Sequence, residues 1–266
     1  MPLDSDHAIA PVRILLLTAT EAEMSPLAKA LALRRHGSHR QGRYSDTQLI
    51  AEVIGMGRQA VHQHVPELLG RHQPHLAVLA GFSGGLDPAL PAGHAFRAVQ
   101  AINEAGERID LTALGPSMTD AQPHRLAAGV VLSVDQPVCQ VQEKQQLFQQ
   151  YRASAADMET WPVAQLAMQH HTPLLVIRAI CDPADAALPP QAAHWVDAHG
   201  KPRWGPLLRF LLAQPGRVAA LWRLYQQARL AGTALARAVE ASLKQLDAAA
   251  DLHRNGLRPS PKGSAP

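Results

Sequence analysis

The chain has 266 residues, a formal net charge of +3 and a sequence pI of about 9.1, with 47% hydrophobic and only 4% aromatic residues. That length and apolar content specify a globular body with a real core and exclude a disordered or fibrous chain. The basic residues are scattered over most of the chain and gather only between Arg203 and Arg237, a weak argument for nucleic acid, which needs a stripe of cations with interleaved aromatics.

Other classes are excluded residue by residue. Two cysteines, Cys139 and Cys181, make neither a disulfide framework nor a metal site. The histidines of "HQH" (His62 to His64) and "HH" (His170, His171) lack partner ligands at metal spacing, so no metal is expected. The start "MPLDSDHAIAP" carries acids and no long apolar run, and no stretch is long enough to span a bilayer. The expectation is a reduced, cytoplasmic protein.

In chain order, "VRILLLTA" (Val12 to Ala19) is an apolar run of strand length, followed by the helical pattern "EAEMSPLAKALALRR". "QLIAEVIGMG" reads as a strand ending in glycines, with "RQAVHQHVPELLGRH" as the helix after it. "HLAVLAGFSGGL" is a buried strand entering a glycine-rich turn. "AAGVVLSVD" and "PLLVIRAICD" are further strands, the second preceded by the helix "TWPVAQLAMQHH". Unbroken apolar strands separated by helices predict an α/β fold with a largely parallel sheet covered on both faces. Residues 203–248 form a basic, amphipathic helical extension with a break at Gln214 to Gly216. Residues 249–266, rich in Pro, Ser and Gly near their end, read as a disordered tail.

Ligands of such sheets bind beyond the carboxyl ends of the strands. The first strand leads to Glu21 and Glu23, and the third to Gly81, Ser83, Gly84 and Gly85. Asp157 and Glu159 sit at a strand-to-helix junction, with Thr160 as a possible cap and Pro162 suited to a first helical turn. The last strand leads through Arg178 to Asp182 and Asp185. One acid after a strand is ordinarily a helix cap, but four junctions bringing acids and glycines to one edge point to a site. "GMGRQA" matches a dinucleotide fingerprint, yet no acid follows at the required distance, so a tight turn is the favoured role.

Taken together, "LLLTATEAEM", "VIGMGRQAV", "LAGFSGGLDPALPAG", "AADMET" and "VIRAICDPAD" resemble the nucleoside phosphorylase and nucleosidase superfamily. The resemblance implies a three-layer αβα domain over residues 12–202, with a central mixed, mostly parallel sheet. "SVDQPV", the "DMET" form, "DPADAALPP" and the Arg/Leu/Ala-rich end are most similar to its hopanoid-associated phosphorylase branch. That branch implies release of adenine from adenosylhopane. Methylthioadenosine/S-adenosylhomocysteine hydrolysis, or another purine nucleoside phosphorolysis, is the alternative.

By the same resemblance, Asp182 is the general acid that protonates the purine, and burial beyond the strand would let it hold a proton. Arg178 and Asp185 share its loop. Glu159 binds the ribose hydroxyls and is kept ionised by a helix start, and Met158 packs against the sugar. Glu23 activates the attacking water. Phe82, Ser83 and Gly84 line the nucleophile side, and Phe82 stands where nucleosidases carry a small hydroxyl residue. Pro137 falls where an aromatic stacks on the purine, and Val138 beside it counts among the substrate-binding residues with Asp157. No cofactor is implied. Phosphate is possible as a co-substrate, with Arg43 and Arg58 as its candidate ligands.

A homo-oligomer without nucleic acid is the expected assembly. A non-catalytic nucleoside binder is disfavoured, because a binder has no need of a general acid. The C-terminal helices either pack on the domain or a partner, or form a basic amphipathic surface that meets a membrane or admits a lipid substrate.

Overall fold

The computed structural model describes residues 12–116, 126–188 and 218–256, with side chains of the last segment described for 222–247. Ten strands form a single mixed sheet: β1 (Arg13–Thr18), β2 (Arg34–His36), β3 (His39–Tyr44), β4 (Thr47–Val53), β5 (Leu76–Gly85), β6 (Ala95–Asn103), β7 (Arg108–Asp110), β8 (Ala127–Ser133), β9 (Ala155–Asp157) and β10 (Leu174–Asp182). The helices are α1 (Glu21–Ala30), α2 (Gly57–His72), α3 (Val141–Tyr151), α4 (Thr160–Gln169) and α5 (Val218–Gly256).

β1 lies between β4 and β5, parallel to both, and β5 is parallel to β10. β5 also meets β9, β9 meets β8, β8 meets β6 and β6 meets β10, so this end of the sheet curls into a closed ring. The ladders among β1, β4, β5 and β10 are parallel and join strands that the apolar runs foretell, while β8, also foretold, runs parallel to β6 and β9. The antiparallel ones enter with β2, β3, β6, β7 and β9, which those runs do not show.

The two faces of β1 explain its unbroken apolar sequence. Leu15 and Leu17 pack with Val61, Val65, Leu68 and Leu69 of α2 and Trp161 and Leu166 of α4. Ile14 and Leu16, on the alternate positions, pack with Met24 and Leu27 of α1 and Leu235, Val239 and Leu243 of α5. A strand with helices on both sides has no solvent face to mark with polar residues.

Helix α1 is shorter than its pattern suggests. It ends at Ala30, Ala32 takes a left-handed turn (φ 50°), and Arg34 to His36 pair with β3. Leu31 and Leu33 are still buried, which is why the apolar spacing looks continuous. Helix α5 continues past the expected boundary at residue 248 to Gly256. Its apolar stripe is part of the core, so it forms a layer of the domain. The break expected at Gln214 to Gly216, residues 203–217 of the extension and the tail beyond Gly256 lie outside the described residues.

Candidate active site

Thr20, just beyond β1, caps α1 in a reciprocal box: its hydroxyl accepts from Glu23 N–H (3.4 Å), and Glu23 Oε2 accepts from Thr20 N–H (2.8 Å). The other oxygen of Glu23 crosses to the glycine-rich end of β5 and accepts from Phe82 N–H (2.7 Å). Glu23 is thus held at both oxygens in a buried place. Burial pushes its pKa above the ordinary value, against the lowering effects of Phe82 N–H and Arg178.

Arg178, in the middle of β10, has no solvent exposure. Its guanidinium passes so close to β5 that a Cβ at Gly81 would lie 2.2 Å from Nη1 and 3.0 Å from Glu23 Oε1. Only glycine leaves room for the cation there. Nε and Nη2 donate to Thr160 Oγ1 (3.2 and 3.0 Å), and Nη2 pairs with Asp157 Oδ2 and, at 3.9 Å, with Glu159 Oε2. Nη1 makes no hydrogen bond within the described residues. It is a buried donor placed beside Glu23.

Asp157 and Glu159 differ in what they hold. Asp157 accepts from Ser133 Oγ (2.7 Å) and from the N–H and hydroxyl of Thr160, besides pairing with Arg178. Its oxygens are filled by the protein, so it supports the turn and the arginine. Thr160 is the first residue of α4 rather than its cap; the cap is Glu159, whose side chain makes no capping bond. Instead Glu159 Oε1 accepts from Gly57 N–H across the site (2.8 Å).

The expectation that a helix start keeps Glu159 ionised is therefore corrected. Burial, then repulsion from Asp157, raise its pKa to about 7, and Arg178 and the Gly57 N–H only partly oppose this. The "GMGRQA" turn has its role here: Gly55 and Gly57 both have positive φ (87° and 81°), and the turn aims an amide at Glu159. Met158 packs over the same turn, its Cε 3.3 Å from where a Gly57 Cβ would sit.

Asp182 lies beyond an irregularity in the β5–β10 ladder, which sets it opposite Gly84 instead of Gly85. Such a bulge re-aims a side chain. A Cβ at Gly84 would stand 3.2 Å from Asp182 Oδ2. Asp182 is buried, and burial raises its pKa to about 6, although Lys144 Nζ, 2.6 Å from Oδ2, pulls it down. Ser83, on β5 beside Gly84, is buried and its hydroxyl has no partner among the described residues.

Val138 is buried in a third apolar cluster with Leu132, Val134 and Ala156, against which Met158 packs. Phe82 is half-buried and meets α5, its Cζ 3.7 Å from a Cβ position at Gly232. Asp185 is exposed, as is Arg43, while Arg58 pairs with Asp135 (3.1 Å).

The structure thus gathers Glu23, Arg178, Asp157 and Glu159 into one connected cluster, with Asp182 of β10 beside Gly84, three residues beyond Gly81 along β5. Sequence reasoning missed Ser133, Gly57 and Lys144, and gave Thr160 the wrong role. Gly57 carried a signal as part of the "GMGRQA" turn, and Lys144 carried one through its spacing: it sits at i relative to Leu147, Phe148 and Tyr151 at i+3, i+4 and i+7, a cation on an apolar face.

A buried acid, a buried cluster of charges and glycines at the carboxyl ends of parallel strands define an enzyme site in a curled α/β sheet. Residues 13–203 match the Phosphorylase superfamily, and the chain belongs to that family. It is an enzyme of the nucleoside phosphorylase and nucleosidase class.

It is 25% identical over 186 residues to the 5'-methylthioadenosine/S-adenosylhomocysteine nucleosidase of Tolumonas auensis, covering 60% of this chain and 80% of the relative. The Staphylococcus saprophyticus protein of the same name is 26% identical over 166 residues, covering 54% and 73%. Among solved structures, the Helicobacter pylori methylthioadenosine/S-adenosylhomocysteine nucleosidase matches with a TM-score of 0.65 at 18% identity, covering 89% of this chain and 99% of that one. The futalosine hydrolase of Helicobacter pylori gives 0.65 at 18%, covering 88% and 98%. These structures share the fold.

Proposed function

We propose that this enzyme cleaves the N-glycosidic bond of a purine nucleoside, with Asp182 as the general acid. The observation that carries the reading is the separation of two acid groups along β5. Gly81 borders the Arg178–Glu23–Glu159 cluster and Gly84 borders Asp182. Three residues of strand are about 10 Å, the scale of a nucleoside lying with its sugar at one group and its base at the other.

In this arrangement Glu159 and Met158 hold the ribose. Hydrogen bonds from the sugar hydroxyls favour the ionised form of Glu159, so its proton leaves as substrate enters. Glu23 takes a proton from the attacking water, a task suited to a carboxylate whose basicity burial has raised. Arg178 Nη1 orients that water and steadies the cluster. Asp182 protonates the purine as the C1'–N9 bond breaks. Water is favoured over phosphate, because Arg178 is the only cation of this cluster among the described residues and three carboxylates already surround it. Arg43 and Arg58, exposed or paired elsewhere, give phosphate no support. No cofactor is needed for such a displacement.

For the substrate we favour an adenosine with a large apolar 5' group, of the adenosylhopane type. Trp222, Tyr225 and Leu230 of α5 are more than half exposed. Leu230 packs beside Gly93, and Gly232 faces Phe82, so this apolar flank begins next to the site. Arg223 and Arg229 stand among these residues, as a membrane-facing surface would have it. The relatives named above favour methylthioadenosine or S-adenosylhomocysteine as the second reading.

Adenine release from adenosylhopane and from methylthioadenosine, each with and without phosphate, decides between them. The favoured reading expects faster release from the lipid nucleoside and no phosphate dependence. No adenine from either substrate would leave a nucleoside-binding protein. Membrane contact is tested by vesicle co-sedimentation of the Trp222→Ser/Tyr225→Ser/Leu230→Ser chain. Truncating α5 would instead remove Leu235, Val239 and Leu243 from the core.

A further inference from the structure

Lys144 and Arg178 are the two cations buried among the described residues. Arg178 is accounted for by the sugar and water side of the site, whereas nothing so far explains Lys144. It projects from α3 with no solvent exposure. An ammonium has three N–H donors and no acceptor, and all three find partners: Asp182 Oδ2 at 2.6 Å, Pro183 O at 2.9 Å and Ala186 O at 2.9 Å. Lys144 is therefore a three-point brace on the turn that follows β10, with no donor left over for a nucleoside.

A buried ammonium is unfavourable unless it is paired and fully hydrogen-bonded, and here the pairing partner is the acid itself. We propose that Lys144 is a positioning residue for Asp182: it fixes the carboxyl against the base and stabilises the carboxylate that remains once the purine has taken the proton. In the full step, the Asp182 proton passes to the purine and the C1'–N9 pair of electrons leaves with the base. The water oxygen bonds to C1', and its proton goes to Glu23. The Asp182 carboxylate so formed is already in contact with a cation. The cation strengthens the acid, and it also lowers the fraction protonated at neutral pH.

Other groups facing Asp182 do not compete with this role. Cys139, on the approach to α3, and Cys181, on β10, are both pushed up by burial and by Asp182, Cys181 to about 12, so they stay neutral thiols. Glu143 acts on Cys139. Lys144 is the charged group in hydrogen-bonding contact with the acid.

The inference rests on Asp182 being the general acid, so the experiment separates the two. The pH dependence of kcat/KM for adenine release from methylthioadenosine is compared for the wild type, Lys144→Gln, Lys144→Met and Asp182→Asn. In parallel, the Asp182 carboxyl is titrated by carbon NMR in the free chains, a measurement that needs no turnover. Removing the cation should raise the Asp182 pKa. The limb on which activity falls with rising pH then moves up by about one pH unit or more, kcat falls and KM changes little. Lys144→Gln keeps donors for the two carbonyls, so it serves if Lys144→Met does not fold. A fall in kcat at every pH, with the limb and the NMR titration unmoved in Lys144→Gln, makes Lys144 a structural brace only and overturns the inference. Wild-type turnover by Asp182→Asn overturns the acid assignment and the inference with it.

Discussion

Two buried charge groups end the same sheet, and they are built on opposite plans. Around Arg178, one guanidinium serves three carboxylates, Glu23, Asp157 and Glu159. Around Lys144, one ammonium serves one carboxylate, Asp182, and two carbonyls. In the first group burial, then repulsion from Asp157, leave Glu159 with a pKa near neutrality, and burial alone raises that of Glu23. The second group is a matched pair in which burial and the cation oppose each other. The first suits holding hydroxyls and accepting a proton from water, and the second suits delivering one proton to a base.

The strongest way to break this comparison is to disable one group at a time. Asp182→Asn should lower kcat about 10²–10⁴-fold, the usual range for a general acid, with the fold preserved by thermal melting. Glu23→Gln should lower kcat about 10²-fold or more by removing the base, while KM stays near wild type. If Glu23→Gln raised KM with kcat unchanged, Glu23 would be a binding group and the division of labour between the clusters would fail.

A smaller effect sharpens the contrast through pH. The folded-state pKa of Glu159 is raised to about 7 from 4.5. The folded chain therefore binds the proton more tightly than the unfolded chain. This contribution to stability is present in full below the unfolded value and is lost as pH rises through about 7. Glu159→Gln keeps an oxygen for Gly57 N–H and removes the titration, so its melting temperature should decline less between pH 5 and 8. An identical decline in both proteins would place the raised pKa elsewhere.

These residues also show what the sequence made legible. Glu23, Glu159, Arg178 and Asp182 were found because each follows or ends an apolar run, and the carboxyl ends of parallel strands converge. What they touch was not, because the partners come from distant segments: Gly57 is 102 residues from Glu159 and Lys144 is 38 from Asp182. The strands missed are those without an apolar run. β9 has only three residues, and β6 sets half-buried Arg97 and Gln100 between its buried positions. Helix α3 was hidden by "VQEKQQLFQQY", whose one buried cation reads as surface until the turn after β10 is seen beneath it. The helix-start argument for Glu159 failed because local position sets a small electrostatic bias, and burial beside Asp157 outweighs it.

The least drastic change tests whether Asp157 belongs to the support rather than to the substrate. Ser133 Oγ donates to Asp157 Oδ1 and accepts from Trp161 N–H at 2.8 Å, tying the end of β8 to the start of α4. Ser133→Ala leaves that N–H unpartnered in a buried place and costs Asp157 one donor, worth about 1–3 kcal/mol together. Asp157 keeps Thr160 and Arg178, so the cluster should survive in a less stable protein. The expected result is a lower denaturation midpoint with KM within about twofold of wild type, given a support role. A tenfold rise in KM at unchanged stability would mean that Asp157 reaches the sugar, and the first cluster would then bind with two carboxylates instead of one.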